Sequence, residues 1–146
     1  MNAFHERLQE FLIENNLSRL QLAKLINVHH ETINGYFNDN LYPKIHIAKR
    51  LADYFDCSLD YLFGLSDKIK NNEKNHLTFV ETIKKLTKEN NKSIEKIMKE
   101  LNMSESNYYR WKKGTQPLTS VIITLAKYFD VSVDYIIGNM LDDAFI

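Results

Sequence analysis

The chain contains few of the residues that break or cross-link a fold, and each shortage excludes a class of protein. Its single cysteine, Cys57, cannot form an intrachain disulfide, so a disulfide-stapled domain is excluded and the cytoplasm is the expected compartment. Four glycines and two prolines among 146 residues favour a mostly helical protein. The longest apolar run, at residues 121–126, is far shorter than the ~18 residues that span a bilayer, and the N-terminus lacks the apolar core of a signal peptide. No membrane is therefore expected among the partners.

The chain also lacks a net charge. Its 19 basic side chains balance its 19 acidic ones, so the overall field does not attract a polyanion. Residues 1–64 carry 6 basic and 8 acidic side chains, a net of −2, whereas residues 79–146 carry 10 and 9, a net of +1. This balance counts against strong nonspecific binding to nucleic acid, but it is compatible with a basic face on one part of the surface.

The sequence repeats itself with an offset of 75 residues, which becomes 74 after a one-residue deletion. In the first part, Phe4, Glu6, Glu14, Asn15, Asn16, Ser18, Lys24 and Asn27 recur as Phe79, Glu81, Glu89, Asn90, Asn91, Ser93, Lys99 and Asn102. In the second part, Pro43, Leu51, Ala52, Tyr54, Phe55, Asp56, Ser58, Asp60, Tyr61 and Gly64 recur as Pro117, Leu125, Ala126, Tyr128, Phe129, Asp130, Ser132, Asp134, Tyr135 and Gly138. Matches this regular indicate two homologous domains.

The repeat predicts an all-α chain with two tandem five-helix domains. The first is expected at residues 1–65 and the second at 78–139, with a polar linker at 66–77 and a short acidic tail at 140–146. As a flexible coil, a linker of about 12 residues would span roughly 20 Å. The apolar residues of the tail, which are candidates for docking on another surface, are Leu141, Phe145 and Ile146.

Local signals mark where the helices begin and end. Ser18 with Gln21, and Thr78 with Glu81, form capping-box patterns that start helix 2 of the first copy and helix 1 of the second. Helix 3 is expected at about residues 30–38 and 104–113. Further markers are Asn27 and Asn102 as left-handed turn residues after helix 2, Pro43 and Pro117 in the first turn of helix 4, Ser58 and Ser132 as caps of helix 5, and Gly64 and Gly138 at its end.

Motifs in both copies carry a family resemblance. The first copy has LSRLQLA at 17–23, then Val28, Ile33, Pro43 and LDYLFG at 59–64. The second copy has Met103, Ser104, Tyr108, Trp111, KKGTQP at 112–117 and VDYIIG at 133–138. Both copies resemble the lambdoid phage repressor/Cro-like (XRE) helix-turn-helix family. The resemblance covers most of the chain and implies two lambda repressor-like domains that bind DNA.

Helix 3 has the two faces that a helix in the major groove requires. One face must be apolar to hold the helix to its domain, and the other must carry polar side chains that reach base edges. Ile33 and Tyr36 supply the apolar face in the first copy, and Tyr108 and Trp111 supply it in the second. The residues that the resemblance and the outer face together assign to DNA are Arg19, His30, Glu31, Thr32, Asn34, Gly35, Ser106, Asn107, Tyr109, Arg110, Lys112 and Lys113, with Glu105 at the start of the second helix.

Each copy departs from the family pattern. Gly35 has no side chain that could contact a base, and it weakens helix 3 by ~1 kcal/mol relative to alanine. Asp39 and Asn40 stand where the family usually has glycine, and an aspartate can take that left-handed backbone at some cost. Ile94 stands where the family often has a phosphate-contacting glutamine, whereas the first copy has Arg19 there. We therefore expect unequal roles for the two copies.

The second copy has the better phosphate-binding cluster. Arg110, Lys112 and Lys113 lie on and just after its helix 3, and Gln116 can add a neutral contact. Tyr109 is expected to be exposed, either to stack on the nucleic acid or to enter a protein interface. The first copy has Arg19 but an acidic total.

Other residues that suggest chemistry have simpler interpretations. The adjacent His29 and His30 point about 100° apart on a helix and lack a third ligand at helical spacing, so no metal is expected. Cys57 aligns with Val131 and is expected to be a small buried apolar residue. No nucleophile–base pair or phosphate-cradling glycine loop is present, so neither an enzyme nor a cofactor is expected.

The sequence predicts a regulator that binds specific duplex DNA, interpreted as a repressor of phage or mobile-element type. Helix 3 of each copy would lie in the major groove, and double-stranded DNA would be the main partner. A homodimer formed through the tail or helix 5 is a further candidate. The alternative is a helix-turn-helix fold used as a protein-binding module, in which one or both copies bind a host or phage protein.

Overall fold

The computed structural model describes residues 2–39, 41–71 and 73–141. Within these residues it contains ten α-helices and no strand, which confirms the all-α prediction. The chain divides into two compact units, residues 1–72 and 73–146. Each unit holds five helices in the same order, as the repeat predicts. None of the helices in the described ranges has both the length and the apolar character needed to cross a membrane.

The helices of the two units correspond one to one. In the first unit they are α1 (Ala3–Glu14), α2 (Arg19–Leu25), α3 (His30–Asn38), α4 (Ile45–Tyr54) and α5 (Leu59–Leu62). In the second unit they are α6 (Phe79–Glu89), α7 (Ile94–Glu100), α8 (Ser106–Lys112), α9 (Thr119–Phe129) and α10 (Val133–Ile137). The helix-turn-helix segments are therefore α2–α3 and α7–α8.

Side-chain caps start several of these helices. The Ser18–Gln21 and Thr78–Glu81 capping boxes are confirmed, because in each pair the hydroxyl accepts from the backbone N–H three residues on and that residue's side chain accepts in return. A third box, which the sequence analysis missed, joins Asn2 to the His5 ring at the start of α1. Serine caps the fifth helix of each unit, at Ser58 and Ser132.

Left-handed residues separate the helices at equivalent points of the repeat. Asn27 and Asn102 have φ of 57° and 56°, which confirms the predicted turns after α2 and α7. The same backbone occurs at Asn16, Asn91, Asp56 and Asp130. Asparagine and aspartate tolerate this region because their short polar side chains bond locally. The repeat therefore preserves turn chemistry as well as apolar residues.

Three expectations about the ends of helices 3 and 4 are wrong. Pro43 and Pro117 lie one residue before the caps Lys44 and Leu118, not in the first turn, because those cap residues are extended and delay the helices to residues 45 and 119. Asp39 has φ of −107° and is not left-handed, because it is the C-cap residue of α3 and corresponds to Lys113, the C-cap residue of α8, which lies one residue before the left-handed Gly114 (φ +103°); Asn40 lies outside the described residues. The helix expected from residue 104 starts at Ser106, because the Ser104 hydroxyl accepts from the Ser106 N–H.

Aromatic contacts fix the third helix of each unit to its first helix. The Phe4 ring lies 5.7 Å from that of Tyr36 and 6.0 Å from that of Phe63, and Phe4 is fully buried. In the second unit, Phe79 meets Trp111 edge to face at 5.3 Å. Such pairs stabilise beyond the burial of their area. They set the orientation of α3 and α8, and hence which side chains point outward.

Most of the predicted linker has defined partners in one unit or the other. The Ile69 carbonyl accepts from the Ser58 N–H at 2.7 Å, and Lys70 pairs with Asp56. On the other side, the Asn75 amide donates to the Tyr135 carbonyl at 2.8 Å, and the Asn139 N–H donates to the Leu77 carbonyl at 2.9 Å. The connection between the two units is therefore shorter than the coil of about 12 residues that the sequence predicts. Phe145 and Ile146 of the predicted tail lie outside the described residues.

Candidate nucleic-acid interface

The α3 helix is held by an apolar face and presents a polar one. Ile33 is 0% exposed and Tyr36 is 4% exposed, so both face the core as predicted. On the other side, His30 and Glu31 are exposed. The half-buried residues of this helix that the sequence assigned to DNA are Thr32, Asn34 and Gly35. The outer face therefore offers short polar groups at the start of the helix, where a base edge can be approached.

A histidine organises the start of α3. His29 is the N-cap residue, and its Nδ1 accepts from the Glu31 backbone N–H at 3.4 Å. Its ring also stacks on His30, with centroids 5.0 Å apart. Nδ1 accepts only when it carries no proton, so this cap requires the unprotonated nitrogen. The paired rings thus have a structural role at the end of the helix that the sequence analysis did not identify.

Arg19 links the two helices of the first helix-turn-helix. Its Nη1 donates to the Asn34 Oδ1 at 3.4 Å, and its Cζ lies 4.2 Å from the centroid of the Phe37 ring. A guanidinium has five N–H donors, so the Asn34 bond leaves several for a phosphate. The stacking limits the freedom of a long side chain before any ligand arrives. The structure therefore brings together Arg19 and Asn34, two of the predicted residues.

The α8 helix shows the same division with larger side chains. Tyr108 is 6% exposed and Trp111 is 8% exposed, whereas Tyr109 is 48% exposed, which confirms the predicted faces. The Lys112 Nζ lies 5.5 Å from the ring centroids of both Tyr108 and Tyr109. The ammonium is thereby held near an exposed ring, where it can reach a phosphate while the ring lies against a sugar or a methyl group.

Two more polar groups lie along α8. Arg110 donates to the Asn107 side chain one turn earlier, so these two predicted residues form a pair on the helix surface. Ser106 follows Ser104, and their hydroxyls lie 2.8 Å apart. Lys113, the C-cap residue, is exposed. The second unit therefore places three cations, on Arg110, Lys112 and Lys113, within four consecutive positions.

The two candidate surfaces differ in charge. The outer side of α3 carries Glu31, with Asp39 just after the helix, and its one predicted cation, Arg19, comes from α2. The α8 surface ends in a basic cluster, and Gln116 follows it as an exposed residue. A cluster of cations of this kind attracts an anion more strongly than a surface of mixed charge does. The basic side chains that the sequence assigned to phosphate are therefore concentrated on the second unit.

The space at Gly35 shows that the fold itself does not require glycine there. A Cβ built at this position would lie 3.8 Å from the Asp39 Oδ2, which is ordinary van der Waals contact. Its φ is not positive. An alanine fits both the backbone and the space. No contact within the described part of the first unit therefore explains the glycine at this point of α3.

The remaining candidates for chemistry contribute little. Among the described residues, no group of three or more His, Cys, Asp or Glu side chains is arranged to hold a metal ion. Cys57 is half-buried, so the expectation that it is a buried core residue is wrong in degree, because it lies in the turn between α4 and α5 and not on a helix. The candidate site is the pair of helix surfaces.

Comparison with known proteins agrees with this architecture. A family model described as helix-turn-helix matches residues 8–62 and again 83–136. A solved structure, the crystal structure of a transcriptional regulator from Listeria innocua, is 30% identical to this chain and covers 68% of it and 86% of its own length, with a TM-score of 0.41. No curated protein matches the chain.

The two matches cover more than half of the chain, and both span the paired helices described above. The chain belongs to the helix-turn-helix family of XRE type, in two tandem copies. It is a DNA-binding regulator.

Proposed function

We propose that this protein is a repressor that recognises a specific duplex sequence, with α3 and α8 each inserted in a major groove. The observation that carries the proposal is the two-faced geometry of these helices. Ile33, Tyr36, Tyr108 and Trp111 are 8% exposed or less, and the opposite sides carry polar and basic groups. A helix anchored in this way can present side chains to base edges while it stays packed against its domain.

The two copies contribute different interactions. Arg110, Lys112 and Lys113 supply most of the phosphate contacts, which set affinity and position. In the first copy, His30 and Asn34 lie one turn apart on α3 and offer the hydrogen-bonding groups that discriminate bases, while Arg19 holds the flanking phosphate. Two units on one chain can read two half-sites about 34 Å apart, one helical turn, without dimerising.

A binding experiment tests this proposal. The purified chain is titrated against the duplex upstream of its own coding region and against a shuffled duplex of equal length and composition, over a series of salt concentrations. We expect tight binding to the first duplex alone, weakening steeply as salt increases because phosphate contacts release counterions. Equal and weak binding to both duplexes at every salt concentration would contradict the proposal.

A second candidate function is supported by the exposed aromatic of α8. Tyr109 is 48% exposed, and tyrosine is enriched at protein interfaces. The zero net charge and Gly35 are also compatible with a protein-binding module in which one or both copies bind a host or phage protein. A mixed arrangement, with the second copy on DNA and the first on a protein, is a variant of this candidate.

Substituting His30 and Arg110 together by alanine distinguishes the two functions. Both side chains lie on outer faces, so the helical circular dichroism spectrum should not change. Loss of DNA binding by this folded variant supports the regulator. Retained DNA binding, together with loss of a protein partner that the unmodified chain captures, supports the module.

A further inference from the structure

An aromatic side chain fills the corner between the first and third helices of the first unit. The Tyr42 ring, in the α3–α4 turn, lies 6.3 Å from that of Phe4 and 5.9 Å from that of Phe63. The carbonyl of the adjacent Leu41 is hydrogen-bonded to the Nε2 of the His5 ring at 3.3 Å. Tyr42 thereby covers the start of α1, the turn and the end of α5.

The same corner of the second unit lacks that ring. By the repeat, Tyr42 corresponds to Gln116, and Leu41 corresponds to Thr115. A groove of about 500 Å³ opens here. Its apolar lining includes Phe79, Trp111 and Pro117. The two units therefore differ at this corner. In the first unit the Tyr42 ring of the turn covers it, whereas in the second unit the turn has Gln116 and the groove is open.

The chain itself continues from the edge of this groove. Met140 is one of the lining residues, and the sequence after Leu141 reads Asp-Asp-Ala-Phe-Ile. From Met140 to Phe145 there are five residues, which reach at most ~17 Å when extended. That length is enough to fold back over a groove of this size. The segment supplies one aromatic ring, which is what the second unit lacks.

Charge favours the same occupant. Asp142 and Asp143 precede the apolar part of the segment, and the basic residues Lys112 and Lys113 lie between the groove-lining Trp111 and Gly114. Attraction between these opposite charges would favour the segment at this end of α8, and burial of a phenyl ring would supply most of the stabilisation.

We infer that the groove of the second unit is a docking site for the segment 142–146, with the Phe145 ring in the place that Tyr42 occupies in the first unit. The segment then completes the corner of the fold that the turn leaves open. It also brings two carboxylates close to the cations that the proposed function assigns to phosphate. The docking itself does not depend on DNA binding.

Trp111, which lines the groove, is the only tryptophan and reports on its occupancy. The full chain is compared with a chain that ends after Leu141 and with the Phe145→Ala variant. We expect both changes to shift the Trp111 emission to longer wavelength and to increase its quenching by acrylamide, because water enters the groove. Ile13→Ala, which removes a 70% exposed apolar side chain from the first unit, is the matched control and should leave both readings unchanged.

A rescue and a direct contact complete the test. In the shortened chain, Gln116→Tyr recreates the turn of the first unit and should restore the original emission and quenching. Nuclear Overhauser contacts between the Phe145 ring and the Trp111 indole should appear in the full chain and persist on dilution. Unchanged Trp111 emission after removal of the segment would overturn the inference, and so would contacts that vanish on dilution, since those would place the ring in a second copy.

Discussion

Tyr36 is the residue at which the packing of α3 conflicts with hydrogen bonding. Its hydroxyl is buried and has no hydrogen-bond partner among the described residues. An unsatisfied buried polar group costs about 1–3 kcal/mol. We therefore expect Tyr36→Phe to raise the free energy of unfolding by about 1 kcal/mol, measured by urea denaturation at neutral pH. A loss of stability would show that the hydroxyl is satisfied in solution.

The same residue predicts a dependence on alkaline pH. Burial raises the pKa of Tyr36 from its ordinary value of 10.0 to about 12. Between these two values the unfolded chain releases this proton and the folded chain retains it, so the free energy of unfolding falls as the pH rises from 10 to 12. We expect the fall to be shallower in Tyr36→Phe, because its other tyrosines titrate as before. Parallel curves for the two proteins would contradict this assignment.

Gly35 offers a change whose effects on stability and on binding should have opposite signs. Because the added methyl group meets only ordinary contact, Gly35→Ala should stabilise α3 by about 1 kcal/mol, measured by thermal denaturation. If DNA approaches the helix backbone here, the methyl group should also weaken binding to the specific duplex. Destabilisation would show that the space at this position is smaller than the geometry indicates.

At the scale of the element, α8 should account for much of the salt dependence of binding. Replacing both Lys112 and Lys113 by alanine should lower the slope of log K against log salt by about 2, because each phosphate contact contributes about 0.9. Lys88→Ala is the matched control, since this exposed lysine lies at the far end of α6 from Phe79, the residue that meets α8. A slope that Lys88→Ala changes as much as the double variant would mean that the cluster has no special role.

The elements also show how far the sequence could predict this structure. Boundaries set by adjacent residues were predictable, because the Ser18 and Thr78 caps and the Asn27 turn depend only on local bonding. The start of α4 was not, since proline is compatible with both the first turn and the position before the cap, and the extended Lys44 decides between them.

The features of the candidate site also divide into those that the sequence could predict and those that it could not. Helical spacing alone separated the buried Tyr108 from the exposed Tyr109. The contact of Arg19 with Asn34 and Phe37 required knowledge of how α2 and α3 cross. The His29 cap had no signal, because histidine is not among the residues that usually cap helices.

At the scale of the whole molecule, the proposed function requires one chain to hold two reading units. Binding of the first unit to its half-site would present the second at an effective concentration set by the connection between them. The described bonds of Ile69 and Lys70 to the first unit, and of Asn75 to the second, leave that connection short. A short connection gives a high effective concentration when the spacing of the half-sites matches it.

Lengthening the connection tests this role of the duplication. An insertion of about six Gly and Ser residues after position 72 roughly doubles the length of chain between Lys70 and Asn75, and effective concentration falls as about the −3/2 power of length, so affinity for a duplex with both half-sites should fall about threefold. Affinity for a duplex with one half-site should not change, because neither unit is altered. Fluorescence anisotropy titrations with the two duplexes measure both values. If the insertion leaves the two-site affinity as it was, the units bind independently, and the duplication serves two separate partners.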